Sequence, residues 1–415
     1  MIKRFIFLAV LALVTGSMCY ATQIFSSSPQ PEDPPTLDGL IGGHPIQFAM
    51  PILVIAPDAR AGGLGDIGVA TSPSTNAQNW NPAKYAFLET QMGASLSYIP
   101  WLRNVGANNI NLFYLTGYYK FDDKNSIGAS LRYFSVGSLP FLDEYQNPLM
   151  DANPNEFAID FSYTRLLGEN FSMSLTARYI RSDLTGGYVD RNVRVNAAQA
   201  IAADVGLYYN KPIYIGNNPS TISFGAAISN VGSKMSYSLT GDDGNTYFLP
   251  TTLRVGSEWL INMNYDHDIA FNLELSKYLV PTPDTAGNVA NVGIFEGMAK
   301  SFYDAPGGFK EELQEIMIGF GIEYTYAKQF MARAGYYYDY KSVTRKYLTI
   351  GAGLRYQMLT LDLSYLIPTV SGFSGNPLAN TIHISLSVDL GEVFSNRATN
   401  MPKRSTSNSK GGFFR

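Results

Sequence analysis

Every second residue is apolar along one stretch of this chain after another, and that alternation limits the fold more than any motif does. Phe157, Ile159, Phe161 and Tyr163 alternate with Ala158, Asp160, Ser162 and Thr164, and Phe171, Met173, Leu175, Ala177 and Tyr179 with Ser172, Ser174, Thr176 and Arg178. The same rule runs through Ile269–Leu275, Leu359–Tyr365 and Ile382–Leu390. Side chains of a strand point alternately to its two faces, so each stretch reads as a strand with one greasy and one polar side. A soluble sandwich shares this period. The stretches are 8–13 residues long, however, closer to the 9–11 that cross a bilayer at a tilt than to the usual five or six. Aromatic pairs and triplets stand near their ends, at Tyr118-Tyr119, Tyr208-Tyr209 and Tyr336-Tyr337-Tyr338, with Trp259 alone, as interfacial girdles require.

The connections between these stretches alternate between short and long. Strand starts are expected near residues 90, 109, 126, 155, 170, 199, 220, 250, 268, 315, 329, 346, 359 and 380, about fourteen in all. Links after even-numbered strands are brief, such as Asp122–Asn125 and Ala327-Lys328. Links after odd-numbered strands are long: 139–153, 183–198, 232–248, 280–313 and 367–379. Short periplasmic turns and long outer loops are the pattern of outer-membrane barrels, and an even count puts both termini in the periplasm. The fold expected is therefore an all-β, transmembrane antiparallel β-barrel integral to the outer membrane. Only 15% of residues are charged, as such a wall requires, and a net charge of −4 gives no field that would draw nucleic acid. Outer-membrane lipid is the expected surroundings.

Five segments follow along the chain. Residues 1–21 read as a signal peptide, with Lys3 and Arg4 ahead of the apolar Phe5–Val14 and cleavage after Ala21. Cys19, the only cysteine, could instead carry a lipid, but Met18 before it is too bulky for a typical lipoprotein site. Residues 22–50 form a Pro- and Ser-rich leader, 51–88 a compact segment without either period, 89–391 the barrel, and 392–415 a basic tail.

The compact segment holds the one recognisable signature. Pro57-Asp58-Ala59-Arg60-Ala61-Gly62-Gly63-Leu64-Gly65-Asp66-Ile67-Gly68-Val69-Ala70, followed by Asn79-Trp80-Asn81-Pro82-Ala83-Lys84-Tyr85, resembles the N-terminal signature of the PorV family. The Gly-x-Gly-x-x-Gly spacing within it lacks both a βαβ setting and a Gly-Lys-Ser/Thr ending, so it is no nucleotide loop. A sister family, PorQ, shares a similar Asp-Ala-Arg and Asn-Pro-Ala pattern. The resemblance implies a FadL-like barrel with residues 51–88 as an N-terminal plug in the lumen, structured around Asp58, Arg60, Gly62, Gly63, Gly65, Asp66, Asn79, Asn81 and Pro82. It also implies an outer-membrane component of the type IX secretion system. Such a protein binds the C-terminal signal domain of secreted cargo at a large translocon and shuttles it to the surface sortase complex. No cofactor is implied.

Two kinds of candidate site follow. The inward phase of the strands supplies Asp160, Arg178, Arg254, Glu258, Glu274, Glu323, Arg355 and Asp362, which are expected to pair with one another or with Asp58, Arg60 and Asp66. Gly351 and Gly353 are expected to let the plug approach the wall. In the long loop 281–313, a helical spacing places Phe295, Met298, Phe302 and Tyr303 on one face, and loop 139–153 offers Phe141, Leu142 and Tyr145. Either loop binds a partner or folds over the barrel mouth. Chemistry finds little support: His44, His267 and His383 are scattered, no pair has metal spacing, and only His383 with Ser385 shares a strand face. A channel for hydrophobic compounds is the alternative function, and a lipid A deacylase a second.

Overall fold

The computed structural model describes residues 46–101, 109–142, 148–184, 189–190, 193–194, 197–216, 218–237, 246–282, 292–305, 307–342, 345–369 and 381–393. The signal peptide, residues 22–45 of the leader and the tail beyond 393 lie outside the described residues. Fourteen antiparallel strands close into one barrel. They are β1 (Thr90–Pro100), β2 (Asn111–Lys120), β3 (Asn125–Ser135), β4 (Asn155–Leu166), β5 (Phe171–Asp183), β6 (Ala198–Ile215) and β7 (Asn218–Gly232). The second half is β8 (Thr252–Asn262), β9 (His267–Tyr278), β10 (Met317–Tyr326), β11 (Phe330–Tyr338), β12 (Lys346–Tyr356), β13 (Leu359–Pro368) and β14 (Ile382–Val393). Each starts within two residues of its expected position. The seam closes between β1 and β14, where Ser97 pairs with Ser385 and Ala94 with Val388.

Alternation sorts the side chains as the sequence requires. Leu96, Phe161, Leu175, Ile201, Leu273 and Leu363 stand on the outer surface, while Ser97, Asp160, Ser162, Thr176 and Glu274 are buried inside. Closure leaves no strand edge, and this is what allows a sheet to sit in hydrocarbon. Among the described residues, no helix is long and apolar enough to cross a membrane.

The two rims differ. Links after even-numbered strands are tight turns, and in one the Asp122 carboxylate accepts hydrogen bonds from the backbone N–H of Lys124 and Asn125, each 2.7 Å. Links after odd-numbered strands carry extra structure: ribbons pairing Leu139–Leu142 with Pro148–Ala152 and Met235–Ser236 with Thr246–Tyr247, and two helices, Ile294–Lys300 and Phe309–Gln314, before β10.

Residues 46–88 do not join the wall. Two short helices (Ala59–Gly62 and Ala77–Trp80) and two 3-10 turns (Pro51–Val54 and Pro82–Phe87) punctuate them. They hydrogen-bond inward-facing groups around the whole ring: Arg132 on β3, Thr164 on β4, Ser172 on β5, Glu258 on β8, Glu323 on β10, Thr349 on β12 and Ser385 on β14. A segment with partners on every side of a closed ring lies within it. The chain enters at the long-connection rim, where the Ala49 N–H donates to the Phe248 carbonyl over 2.8 Å. It leaves at the short-turn rim, where Lys120 at the end of β2 donates to the Ala86 and Leu88 carbonyls. An even strand count fixes the ends of the wall at one rim. It does not fix this entry point, which lies at the other.

Candidate functional site: a filled lumen and an aromatic rim

The lumen is held by ionic groups that the strand phase brings inward. Arg178 on β5 forms ion pairs with Asp160 (2.6 Å) and Asp204 (2.9 Å) and reaches the Asn230 side chain. Asn230 sits at a bulge in β7 with φ 63°, and its N–H donates to Asp204 over 2.7 Å. On the opposite wall, Glu323 accepts from Arg60 of the interior segment (2.9 Å) and from Arg333 (2.5 Å), and Arg333 also pairs with Asp362 (2.6 Å). Arg254 faces Glu274 at 3.6 Å. Burying charges is tolerable only when each is paired and hydrogen-bonded, and these chains of pairs supply that.

Most of the expected inward charges are therefore buried and paired. Glu258 is buried with Ser72 as its hydrogen-bond partner and not an ion pair, and Arg355 is not buried. Arg355 keeps the inward phase but lies beside the short turn at residues 357–358, where it is exposed to water. Asp58 also departs from expectation, because it meets no wall charge. Its carboxylate caps the Ala59–Gly62 helix at Ala61 N (3.0 Å) and accepts from Trp80 Nε1 (2.8 Å), tying the two halves of the signature together. Glu258 and Glu274 serve backbone: Ser72 N–H donates to Glu258 over 2.9 Å, and the N–H groups of Gly68 and Val69 donate to one Glu274 oxygen at 2.8 Å each. Arg333, Asp204 and Arg132 belong to the same interior set, and the inward phase of their strands could have found them.

The remaining signature residues are each accounted for by contacts. Asn81, fully buried, donates to the Val69 (3.1 Å) and Leu207 (2.8 Å) carbonyls and accepts from Ala83 N–H. Asn79 accepts from Arg132 (2.5 Å), and the Pro82 carbonyl accepts from Thr164 (2.9 Å). Asp66 accepts from the Tyr347 hydroxyl at 2.5 Å. Gly62 and Gly63 lie where a Cβ would meet His383 and Gly351. Gly65 has φ 81°, open to glycine alone at no cost, and its N–H donates to Thr349 (2.9 Å). Opposite it, a Cβ on Gly335 of β11 would stand 2.1 Å from the Gly65 nitrogen. Gly351 also gives the segment room. Gly353 does not, since its inner side is covered by Asp362, Arg333 and Met331 of the wall.

Lys84 is the least expected member. Its ammonium is buried and donates to the Gly68 carbonyl (2.6 Å) and to Thr71 Oγ1 (3.0 Å). Burial, chiefly, lowers its pKa to about 7. His383 and Ser385 are spent on structure: Ser385 Oγ accepts from Ala59 N–H (2.8 Å) and shares a hydrogen bond with Ser97, and His383 packs against Gly62. A cavity of about 20 Å³ remains beside Asp66, Trp80, Arg254 and Tyr347, room for one water and no more.

At the long-connection rim, the helix Ile294–Lys300 carries Phe295, 76% exposed, and a half-buried Met298. It ends before Phe302 (52% exposed) and Tyr303 (70%), which follow in a turn and not on the same helical face. Sequence reading passed over Phe309, 78% exposed on the next helix, and Leu313 beside it. This connection is fastened to the rim by Lys277, which pairs with Glu312 (3.0 Å) and Glu315 (2.5 Å), and by Lys341 with Glu311. Its aromatic side nonetheless remains open. Tyr145 lies outside the described residues, as do the side chains of Phe141 and Leu142 in the neighbouring ribbon.

A closed fourteen-strand barrel with an apolar outer surface and an interior bonded to its own N-terminal segment is an outer-membrane barrel by construction. The family profile described as "Type IX secretion system protein PorV" matches residues 43–285, more than half of the chain, and the chain belongs to that family. Similar solved structures include the CymD monoaromatic hydrocarbon channel (12% identity, TM-score 0.46, covering 83% of this chain and 100% of that one). Others are the P. putida toluene transporter TodX (11%, 0.46, 81% and 99%) and a Pseudomonas aeruginosa FadL homologue (10%, 0.43, 83% and 100%). No curated protein sequence matches.

Proposed function

We propose that this barrel is a binding and shuttle component of type IX secretion, with no chemistry of its own. It takes cargo by the C-terminal signal domain at a large outer-membrane translocon and delivers it to the surface sortase complex. The observation that carries this reading is the ring of hydrogen bonds between residues 51–88 and the inner wall. Residues 51–88 act as a plug held from all sides by the wall, so the working surface is the rim. The long connections face outward and the ends of the barrel wall face the periplasm, which puts Phe295, Met298, Phe302, Tyr303 and Phe309 on the cell surface. Exposed apolar patches of this kind mark protein contacts.

Gentle affinity purification from outer membranes with mass spectrometry tests the proposal. Recovery of a very large barrel and of proteins sharing a C-terminal domain is expected. Recovery of the barrel alone with bound fatty acid would overturn it in favour of a channel for hydrophobic compounds. One observation favours that second reading: the outer half of the lumen has an apolar pocket. Met50–Leu53 of the same chain already fill it.

A further inference from the structure

Inward positions midway along β1–β5 are mostly polar, among them Ser97, Thr116, Ser130, Asp160, Thr176 and Arg178. Toward the long-connection rim an apolar group appears among them, beside the buried Arg132, Glu156 and Ser182. Ile99, Leu112 and Phe134 stand side by side in register on β1, β2 and β3, and Ala158, Ile180 and Ala200 on β4, β5 and β6. Met235 and Leu249 of the β7–β8 connection complete the pocket. An apolar patch in a polar lumen needs an apolar filler, and Met50, Ile52 and Leu53 supply one.

The filler is bound as a peptide, by backbone as well as side chains. Arg132 donates to the Ile52 carbonyl over 2.6 Å, and the Ala49 N–H donates to the Phe248 carbonyl over 2.8 Å. A hydrocarbon would leave both groups without those partners. Met50 adopts φ 55°, a left-handed conformation that a residue with a Cβ adopts at a cost, so the filler is held under local strain. Phe248 also links the pocket to the aromatic rim: a Cβ on Gly297 of the Ile294–Lys300 helix would lie 3.1 Å from its ring. The residue that holds the filler's backbone is therefore the one on which the exposed helix rests.

We propose that this pocket is a binding site for a short apolar peptide segment of a protein handled at the rim, and that Met50–Leu53 is its resident stand-in. A partner pressing on the Ile294–Lys300 helix moves Phe248, loosens Ala49 and exchanges its own apolar segment for the resident one. The inference rests on the proposed partner-binding role only for who supplies that segment.

The test uses the purified full-length barrel and a fluorescent synthetic peptide with the sequence of residues 46–56, read by anisotropy. In the native protein the resident competes, so Ile52→Asp with Leu53→Asp should raise peptide affinity about tenfold or more. Adding Phe134→Asp to that variant should abolish binding. Equal affinity for native and variant, binding to neither, or binding that survives Phe134→Asp would each overturn the proposal. Heat-modifiable gel mobility confirms the folded barrel. Where the Asp pair does not fold, Ile52→Ala with Leu53→Ala is read in the same way. Because no secretion partner is present, loss of peptide binding leaves the shuttle reading standing, and loss of co-purifying partners leaves the pocket standing.

Discussion

Arg333 shows how a charge is tolerated inside this barrel. Its guanidinium joins Glu323 to Asp362, and Glu323 in turn holds Arg60 of the interior segment. Arg333→Met leaves Asp362 without its cation and should cost about 3–5 kcal/mol, read as a lower urea midpoint for the barrel in detergent. A midpoint unchanged from native would mean that the network contributes nothing. Lys84 adds a pH dependence of defined sign. Its folded pKa, about 7, lies below the ordinary 10.5, so between those values the unfolded chain holds a proton that the folded chain does not. Stability from this group therefore rises with pH across that window, with the full burial penalty below it. Native protein should gain more than Lys84→Met when urea unfolding is compared near pH 6 and near pH 9, and equal gains would refute the assignment. Which charges turn inward was legible from strand phase, as Asp160, Glu274 and Asp362 show. Their partners were not. The cross-strand register and the path of residues 51–88 decide those, and neither is written in a two-residue period.

At the scale of elements, the strands were legible because lipid outside and a polar lumen inside impose one alternation on every segment. The rim helices were not. The helical spacing of Phe295, Met298 and Phe302 implied a helix through Tyr303, but the helix ends at Lys300, where the Ser301 N–H returns to the Gly297 carbonyl and the Phe302 N–H to Ala299. The aromatic side chains reach the open face from two helices and a turn. Phe295→Ser, Phe302→Ser and Phe309→Ser combined should leave barrel stability within about 0.5 kcal/mol of native per site, since all three are exposed. The same variant should lose about tenfold or more of the secretion partners recovered on affinity purification. Full recovery would move the contact to another connection.

For the whole molecule, the interior segment sets the geometry of exposure. Residues 46–50 lie at the long-connection rim, while β14 ends at the short-turn rim. With the long connections outward, Gln47→Cys should react with a membrane-impermeant maleimide on intact cells, and Asp123→Cys in a short turn should react only after the outer membrane is opened. Both residues are exposed in the folded protein, so a reversed pattern reports orientation and not burial, and it would invert the proposed topology.

The sequence by itself determined a barrel of about fourteen strands, its short and long rims, and the charges that face its lumen. A closed wall in lipid must alternate, and alternation is a local property. Tertiary structure alone decided which charges pair, where the interior segment enters, and that Met50–Leu53 pack against an apolar stretch of the inner wall. Those facts depend on residues far apart in the chain, such as Arg60 with Glu323 and Ala49 with Phe248, meeting across a lumen whose contents no local pattern encodes.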